Sequence, residues 1–462
     1  MNKTSKNEKK LIEDVKSYIS YTAKYKPSLL AIMIFGSIIT VITMLLCLPI
    51  STVDGKMPNF VDALFTATSS VCVTGLTTVE TATYWSHFGH FVIALGMKIG
   101  GLGVMTFASI LALAVSKNIG LTQRLIIANE NQIEKLGKVK TLIRAVIIIS
   151  ATCEFLLFLA LFPHFYYGVG YSFVKSIGYG LFMSVSIFNN SGFVIMPEGM
   201  EVFANDIFVI APIIIGTFAG AIGFPVILNI TSNIKNPRAW NIHTKLTVIT
   251  YLILFVIGTV LIGLLEWNNT HTLGNLPLHS KISNSLLLGI NGRSSGLSTL
   301  DIGQMHPSTW LVQDVLMFIG GGSASTAGGI KVTTLAVLTL AIVAEARGDT
   351  DIQVFGRRIP NTTVRLAVTV IAIGSFLVFT SIFLLLLITN LSLDVIAFEV
   401  ISAFATVGLS TGITPLLPTA GKYLLVLLMF AGRIGTMTVT AALALRKQKR
   451  VLRYPEEKPA IG

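Results

Sequence analysis

The chain has 462 residues, of which 53% are hydrophobic and 12% charged, with a formal net charge of +12. That charged share is about half of what a soluble domain carries, and several unbroken apolar runs of about twenty residues mark a polytopic helical membrane protein. The length of those runs excludes a soluble all-buried core, and the clustering of Lys and Arg beside them excludes a nucleic-acid face.

In chain order, residues 1–27 form a polar segment carrying Lys3, Lys6, Lys9, Lys10, Lys16, Lys24 and Lys26. Spans are expected near 29–50 and 86–116 (first unit, 28–117), 141–163 and 205–233 (second, 118–234), 244–265 and 308–345 (third, 235–347), and 364–389 and 422–445 (fourth, 348–446). A tail follows at 447–462. The N-terminal segment, the 117–144 connection, the 235–245 link and the tail "RKQKRVLR" are basic, whereas the alternate connections carry Asp54, Glu80, Glu198 and Glu201. Positive residues stay inside, so both termini are expected to be cytoplasmic and the crossings even in number.

Between the two spans of each unit lies a shorter apolar run followed by a polar stretch ending in glycine. The four are "FTATSSVCVTGLTT" (65–78), "FMSVSIFNNSGFVI" (182–195), "LLLGINGRSSGLST" (286–299) and "EVISAFATVGLSTG" (399–412). They align as an internal repeat on Gly75, Gly192, Gly296 and Gly408. Alone, any one reads as a packing loop with a turn glycine; four in register do not. A second repeated signal, "GGLGVMT" (100–106), "GAIGFPV" (220–226) and "GRIGTMT" (432–438), falls midway along the later span of units one, two and four. Unit three has the longer, more polar "IGGGSASTAGGIK" (319–331) there.

Non-helical backbone at bilayer depth survives only where protein buries it or it lines a water-filled cavity. Four re-entrant hairpins around a common pore meet that condition, and glycine supplies the φ values that let successive carbonyls point one way. Ringed carbonyls replace the hydration shell of a K⁺-sized ion, and "TVG" at 406–408 matches the start of the "TVGYG" filter loop that is the standard example. The expected filter is therefore Val73, Thr74 and Gly75; Asn190, Ser191 and Gly192; Ser294, Ser295 and Gly296; and Thr406, Val407 and Gly408. Each short helix would also aim the negative end of its dipole at the cavity.

These four segments, with "GGGSASTAGGIK" and "FAGRIGTMT" (430–438), resemble the Trk/Ktr/HKT superfamily of K⁺ transporters across nearly all of 28–446. The resemblance implies an all-α membrane protein of eight transmembrane helices in four membrane–pore–membrane repeats. It also implies K⁺ preference, since glycine occupies all four filter positions. The short N-terminus is most similar to the membrane subunits of bacterial Ktr systems (KtrB-type). From them follow a plasma-membrane homodimer, a cytoplasmic KtrA-type ring that binds nucleotide, and a gate below the filter. On this resemblance the gate is Gly320, Gly321, Gly322, Ser323, Ala324, Ser325, Thr326, Ala327, Gly328 and Gly329, with Lys331 and with Arg433 facing it from the last span. Its Gly/Ser/Ala composition suits a hinged obstruction.

Charges within spans carry further expectations. Arg433 forms an electrostatic barrier that anchors the 320–329 loop. Lys331 either tethers that loop or snorkels to the inner face. Lys98 is a buried structural partner, and Glu154 pairs with a basic residue or polar backbone and takes no transport role. Arg293 would repel K⁺ if it faced the pore, so it should point behind the filter, toward Glu399.

Cys47, Cys72 and Cys153 make no disulfide or metal pattern, the histidines are scattered, and neither GxGxxG nor Walker A is present. The chain is therefore not read as an enzyme and binds no organic cofactor of its own; K⁺ is the transported ion and Na⁺ stimulation stays open. The rival readings are a Na⁺-coupled or Na⁺-conducting member of the superfamily and a membrane scaffold without transport.

Overall fold

A computed structural model describes residues 27–117 and 139–435. The two termini, most of the 117–144 basic connection and the last ten residues of the 422–445 span lie outside the described residues.

The described chain is mostly helical, and one order recurs along it: a long helix, a shorter helix, an extended return and a further helix that is broken in the second and third units. The first unit has α1 (Pro27–Leu46), α2 (Phe60–Cys72) and α3 (His87–Lys117). The second has α4 (Val139–Pro163), α5 (Phe173–Asn189) and a later helix split into α6 (Ile207–Ile222) and α7 (Phe224–Ser232). In the third, α8 (Ile242–Glu266) and α9 (Leu278–Asn291) precede α10 (Pro307–Phe318) and α11 (Val332–Arg347). A small hairpin, β1 (Ile352–Val354) with β2 (Arg357–Ile359), leads into α12 (Asn361–Ile388), α13 (Leu393–Ala405) and α14 (Thr419–Phe430), which ends in a π turn at Ala431–Gly435.

Helix starts follow local chemistry. Asn59, Ser172, Asp206 and Asn241 each accept a bond from a backbone N–H of the first turn, satisfying donors that have no partner within the helix. Pro307 opens α10, where its missing N–H costs nothing.

Burial runs opposite to a soluble protein. The short helices form the centre: α2 is buried from Phe65 to Cys72, and α13 buries Phe398, Glu399 and Val400. Long helices carry apolar side chains outward, as Phe376 and Phe379 do on α12 (69% exposed each). An apolar rim around a polar-bearing centre suits lipid as the solvent. Helices spanning Ile143–Gly168, Ile242–Glu266 and Asn361–Ile388 are long and apolar enough to cross a membrane.

Two expected spans are interrupted. The 308–345 stretch divides at the polar loop, as its composition suggests. The 205–233 stretch, expected to be continuous, bends by 96° at Gly223 (φ 99°), ahead of Pro225. Pro225 occupies the first turn of the new helix, and "GFP" is a breaker signal that outweighs the apolar run around it.

The units close on themselves. The later helix of each packs on the short helix of the next: α3 on α5, α6 on α9, α10 on α13, and α14 back on α2. This circular contact positions the site.

Candidate functional site

Three short helices end alike. Val73, Asn190 and Thr406 adopt left-handed backbone with φ of 58°, 59° and 50°. The amide of each bonds three residues back (to Ser70, Ile187 and Ala403), and the next amide bonds five back (to Ser69, Ser186 and Ser402). This double bond pattern reverses the chain at a helix C-terminus. Glycine or asparagine ordinarily takes that left-handed position; Val73 and Thr406 are β-branched and hold it at a cost of about 1–3 kcal/mol each.

The following glycines also have positive φ: 96° at Gly75, 76° at Gly192, 60° at Gly296 and 93° at Gly408. A Cβ on Gly75 would strike the Ser191 carbonyl, one on Gly192 that of Ser295, one on Gly296 that of Val407, and one on Gly408 that of Thr74. Each glycine thus faces the carbonyl that precedes the next glycine, and the cycle returns to its start. All twelve residues expected from the sequence to form a filter lie in these four strands, and the structure brings the strands together around one axis.

Hydroxyls brace the turns. Ser69 Oγ and Ser402 Oγ each accept from the N–H of their glycine at 3.0 Å, while Ser186 Oγ donates to Phe193 O at 2.8 Å. The second repeated signal has a physical cause as well. Gly100, Gly220 and Gly432 lie against the carbonyls of Val71, Phe188 and Phe404, each four residues before one of these glycines. Any side chain there would part the long helix from the short one, so small residues let the backbones meet.

The third strand is built differently. Gly292 caps α9 in right-handed conformation, the amides of Ser294 and Ser295 both bond Asn291 O, and Asn291 Nδ2 donates to Leu297 O at 2.6 Å. Arg293 is fully buried behind the strand, as expected, but its partner is not Glu399. Its Nη1 donates to Tyr251 O at 3.1 Å, and its guanidinium lies 3.8 Å from the Tyr251 ring centroid. The end of α9 directs Arg293 toward α8 of its own unit. Glu399 instead accepts from Ser410 Oγ at 2.9 and 3.0 Å and from Thr414 Oγ1, fastening the chain just beyond Gly408.

The 320–329 loop seats beneath these strands. Gly322 N donates to Ala221 O (2.8 Å), Thr326 N to Gly220 O (3.3 Å), and Phe224 N to Ala324 O (3.2 Å). The break at Gly223 therefore supplies free backbone groups that the loop occupies. Thr326 Oγ1 is 2.6 Å from the Asn190 amide, whose oxygen accepts from it and from Ala221 N when oriented to satisfy both ends. Arg433 Nη1 donates to Thr326 O, and Gly328 packs on Ala405 O and Thr406 Oγ1. Lys331 Nζ donates to Ala327 O at 2.6 Å, so it tethers the loop instead of snorkelling. Gly320, Gly321, Ser323, Ser325 and Gly329 are the remaining residues of this loop.

Beyond the glycines, a cavity of about 450 Å³ opens, lined by Gly192 and Gly296 and by Glu80, Glu198, Glu201 and Asp301. Carboxylates in a mouth of low dielectric raise the local cation concentration. Among the described residues no cluster of His, Cys, Asp or Glu could hold a metal ion. Sequence reasoning missed the Gly223 break, the bridging Asn190 and the Glu399 brace. Only the first had a local signal, "GFP".

The arrangement can be compared with known proteins. Residues 23–454 match the family described as TrkH, cation transport protein. The chain is 37% identical to "Ktr system potassium uptake protein B" of Bacillus subtilis (strain 168), over 94% of this chain and 96% of that one. It is 32% identical to "Potassium/sodium uptake protein NtpJ" of Enterococcus hirae, over 90% and 93%. The crystal structure of the potassium transporter TrkH from Vibrio parahaemolyticus superposes with a TM-score of 0.73 over 91% of this chain and 85% of that one, at 16% identity, a likeness of fold.

Proposed function

The chain belongs to the TrkH family of cation transport proteins, and from that premise we propose that it takes up K⁺ selectively across the bacterial plasma membrane. The observation that carries this reading is the closed cycle in which each filter glycine faces the carbonyl ahead of the next. Oxygens so placed take over the hydration shell of K⁺, and the short-helix C-termini add negative potential below them.

On this reading the chain crosses the membrane eight times in four repeats, with both termini in the cytoplasm. The 320–329 loop is the gate: it plugs the path under Asn190 and Thr406, and Arg433 adds a like charge that a cation must pass. Two like charges 4 Å apart repel by about 4 kcal/mol at an effective dielectric of 20. Two copies form the membrane unit, and a cytoplasmic nucleotide-binding ring of the KtrA type moves the gate.

The test is growth and Rb⁺ uptake in bacteria lacking their own K⁺ uptake systems, with and without a co-expressed ring subunit. Rescue at low K⁺, strengthened by the ring, is the expected result. No rescue in either case contradicts the proposal and favours a scaffold. A second reading, Na⁺ coupling or conduction, draws support from the relative named for both ions. It requires radioactive Na⁺ to enter in step with Rb⁺, or without it.

A further inference from the structure

Away from the gate and the carbonyl cycle, an ion pair between two of the helices has no part in the account so far. Lys98 on α3 places Nζ 2.6 Å from both carboxylate oxygens of Glu154 on α4. Ser150 Oγ lies 2.8 Å from the same Nζ and donates to Glu154 Oε1 at 3.0 Å. The carboxylate has one more partner: Asn189 Nδ2 donates to Glu154 Oε1 at 3.0 Å. Asn189 is the last residue of α5 and fully buried; Asn190, in left-handed backbone, and Ser191, whose carbonyl faces Gly75, follow it directly.

We infer that the Lys98–Glu154 pair, acting through Asn189, positions the second filter strand and so contributes to the preference for K⁺. The inference rests on the filter reading above and assigns the pair a role in it.

Three observations carry it. An ion pair is a poor stabiliser by itself, because apolar residues of similar volume often serve as well or better. What apolar residues cannot do is accept a bond from an amide and so hold its rotamer. Glu154 accepts such a bond from Asn189, whose Nδ2 also donates to Val185 O at 2.9 Å, and a glycine at 101 admits the Asn189 amide against α3.

The third observation is a parallel in the neighbouring strand. The residue three before the filter glycine is Cys72, Asn189, Arg293 and Ala405 in the four units. In units two and three it is long and polar, and it reaches back to the first long helix of its own unit: Asn189 to Glu154 on α4, Arg293 to Tyr251 O on α8. In units one and four it is small. Two adjacent strands are thus strapped from behind and two are not. The second strap is charged because its acceptor is a carboxylate, and Lys98 is the counter-charge that makes a carboxylate tolerable at that depth.

The test uses Asn189→Ala, which cuts the strap and leaves the ion pair whole, together with Glu154→Gln and the double variant. Rb⁺ uptake with Na⁺ as competitor is measured in cells lacking other K⁺ uptake, normalised to the amount of protein in the membrane. Asn189→Ala should raise KM for Rb⁺ and lower the preference over Na⁺ by about threefold to tenfold, the net worth of one typical intramolecular hydrogen bond, with little change in maximal rate. Glu154→Gln should shift both in the same direction, and the double variant should fall short of the sum. If Asn189→Ala changes only the amount of protein or the maximal rate, the pair is merely structural and the inference is overturned, whether or not Glu154→Gln accumulates. Gly192→Ser, run alongside, separates the two levels. If it shifts preference and Asn189→Ala does not, only the strap fails; if neither does, the filter reading fails first.

Discussion

In the first, second and fourth strands of the ring, a serine six residues before the glycine braces the turn, a left-handed residue reverses the helix end, and a glycine on a long helix packs against the turn from behind. In the third strand the serine position is Ile290, the helix end is right-handed, and the bracing comes from Asn291 and Arg293. Both arrangements deliver a glycine at positive φ against the next carbonyl. The constraint therefore sits at the glycine and its neighbour's oxygen, and the means of reaching it are free to vary. The same unit that abandons the shared turn also replaces the packing glycine of its later helix with the polar loop. There Gly328 meets the Ala405 carbonyl at the end of the next unit's short helix instead of a carbonyl of its own unit, and on the proposed reading residues 319–331 are the movable plug.

The comparison can be broken or sharpened by substitution. The largest effect belongs to the feature peculiar to unit three: deleting part of 320–329 should raise Rb⁺ flux severalfold and remove its dependence on the cytoplasmic ring. Lower flux at unchanged expression would contradict the gate. Next comes the feature common to all four. Gly408→Ser forces a side chain into positive φ and onto Thr74 O. At about 1–3 kcal/mol of strain, the K⁺ over Na⁺ preference should drop about tenfold in competition uptake. Unchanged preference would count against the ring.

Smaller effects probe the two designs of turn. Ser402→Ala leaves the Gly408 N–H without its acceptor and should lower stability by about 1–3 kcal/mol, read as an earlier thermal transition in detergent. Ile290→Ser, at the matching place in the third strand, should bring no comparable gain because that turn has no use for the hydroxyl. Smallest of all, Val73→Gly relieves a left-handed β-branched residue and should raise stability by about 1 kcal/mol. A loss there would mean the Val73 side chain packs better than its backbone suffers.

Much of this was legible in the residues themselves. The four glycines and the loop show in the sequence because each needs a residue type with unusual backbone freedom, and the cost of an unpaired charge in lipid gives Glu154 a basic or backbone partner, which the structure identifies as Lys98. The recurrent glycines at 100, 220 and 432 were visible as a pattern, yet their cause, contact with a carbonyl of another helix, is a tertiary fact. Arg293 was rightly directed away from the axis, since repulsion requires it. Its partner was misjudged because opposite charge suggested Glu399, whereas a backbone carbonyl and an aromatic face on α8 lay closer. The bend at Gly223 was overlooked because hydropathy counts apolar residues without regard to the chain's direction; Pro225 held the information.

The most direct test is to locate the ion. Rb⁺ or Tl⁺ soaked into crystals of the full chain should give anomalous peaks on the axis enclosed by Gly75, Gly192, Gly296 and Gly408, at bonding distance from the carbonyls of Thr74, Ser191, Ser295 and Val407. Peaks confined to the carboxylates of the outer cavity, with none on that axis, would contradict the account.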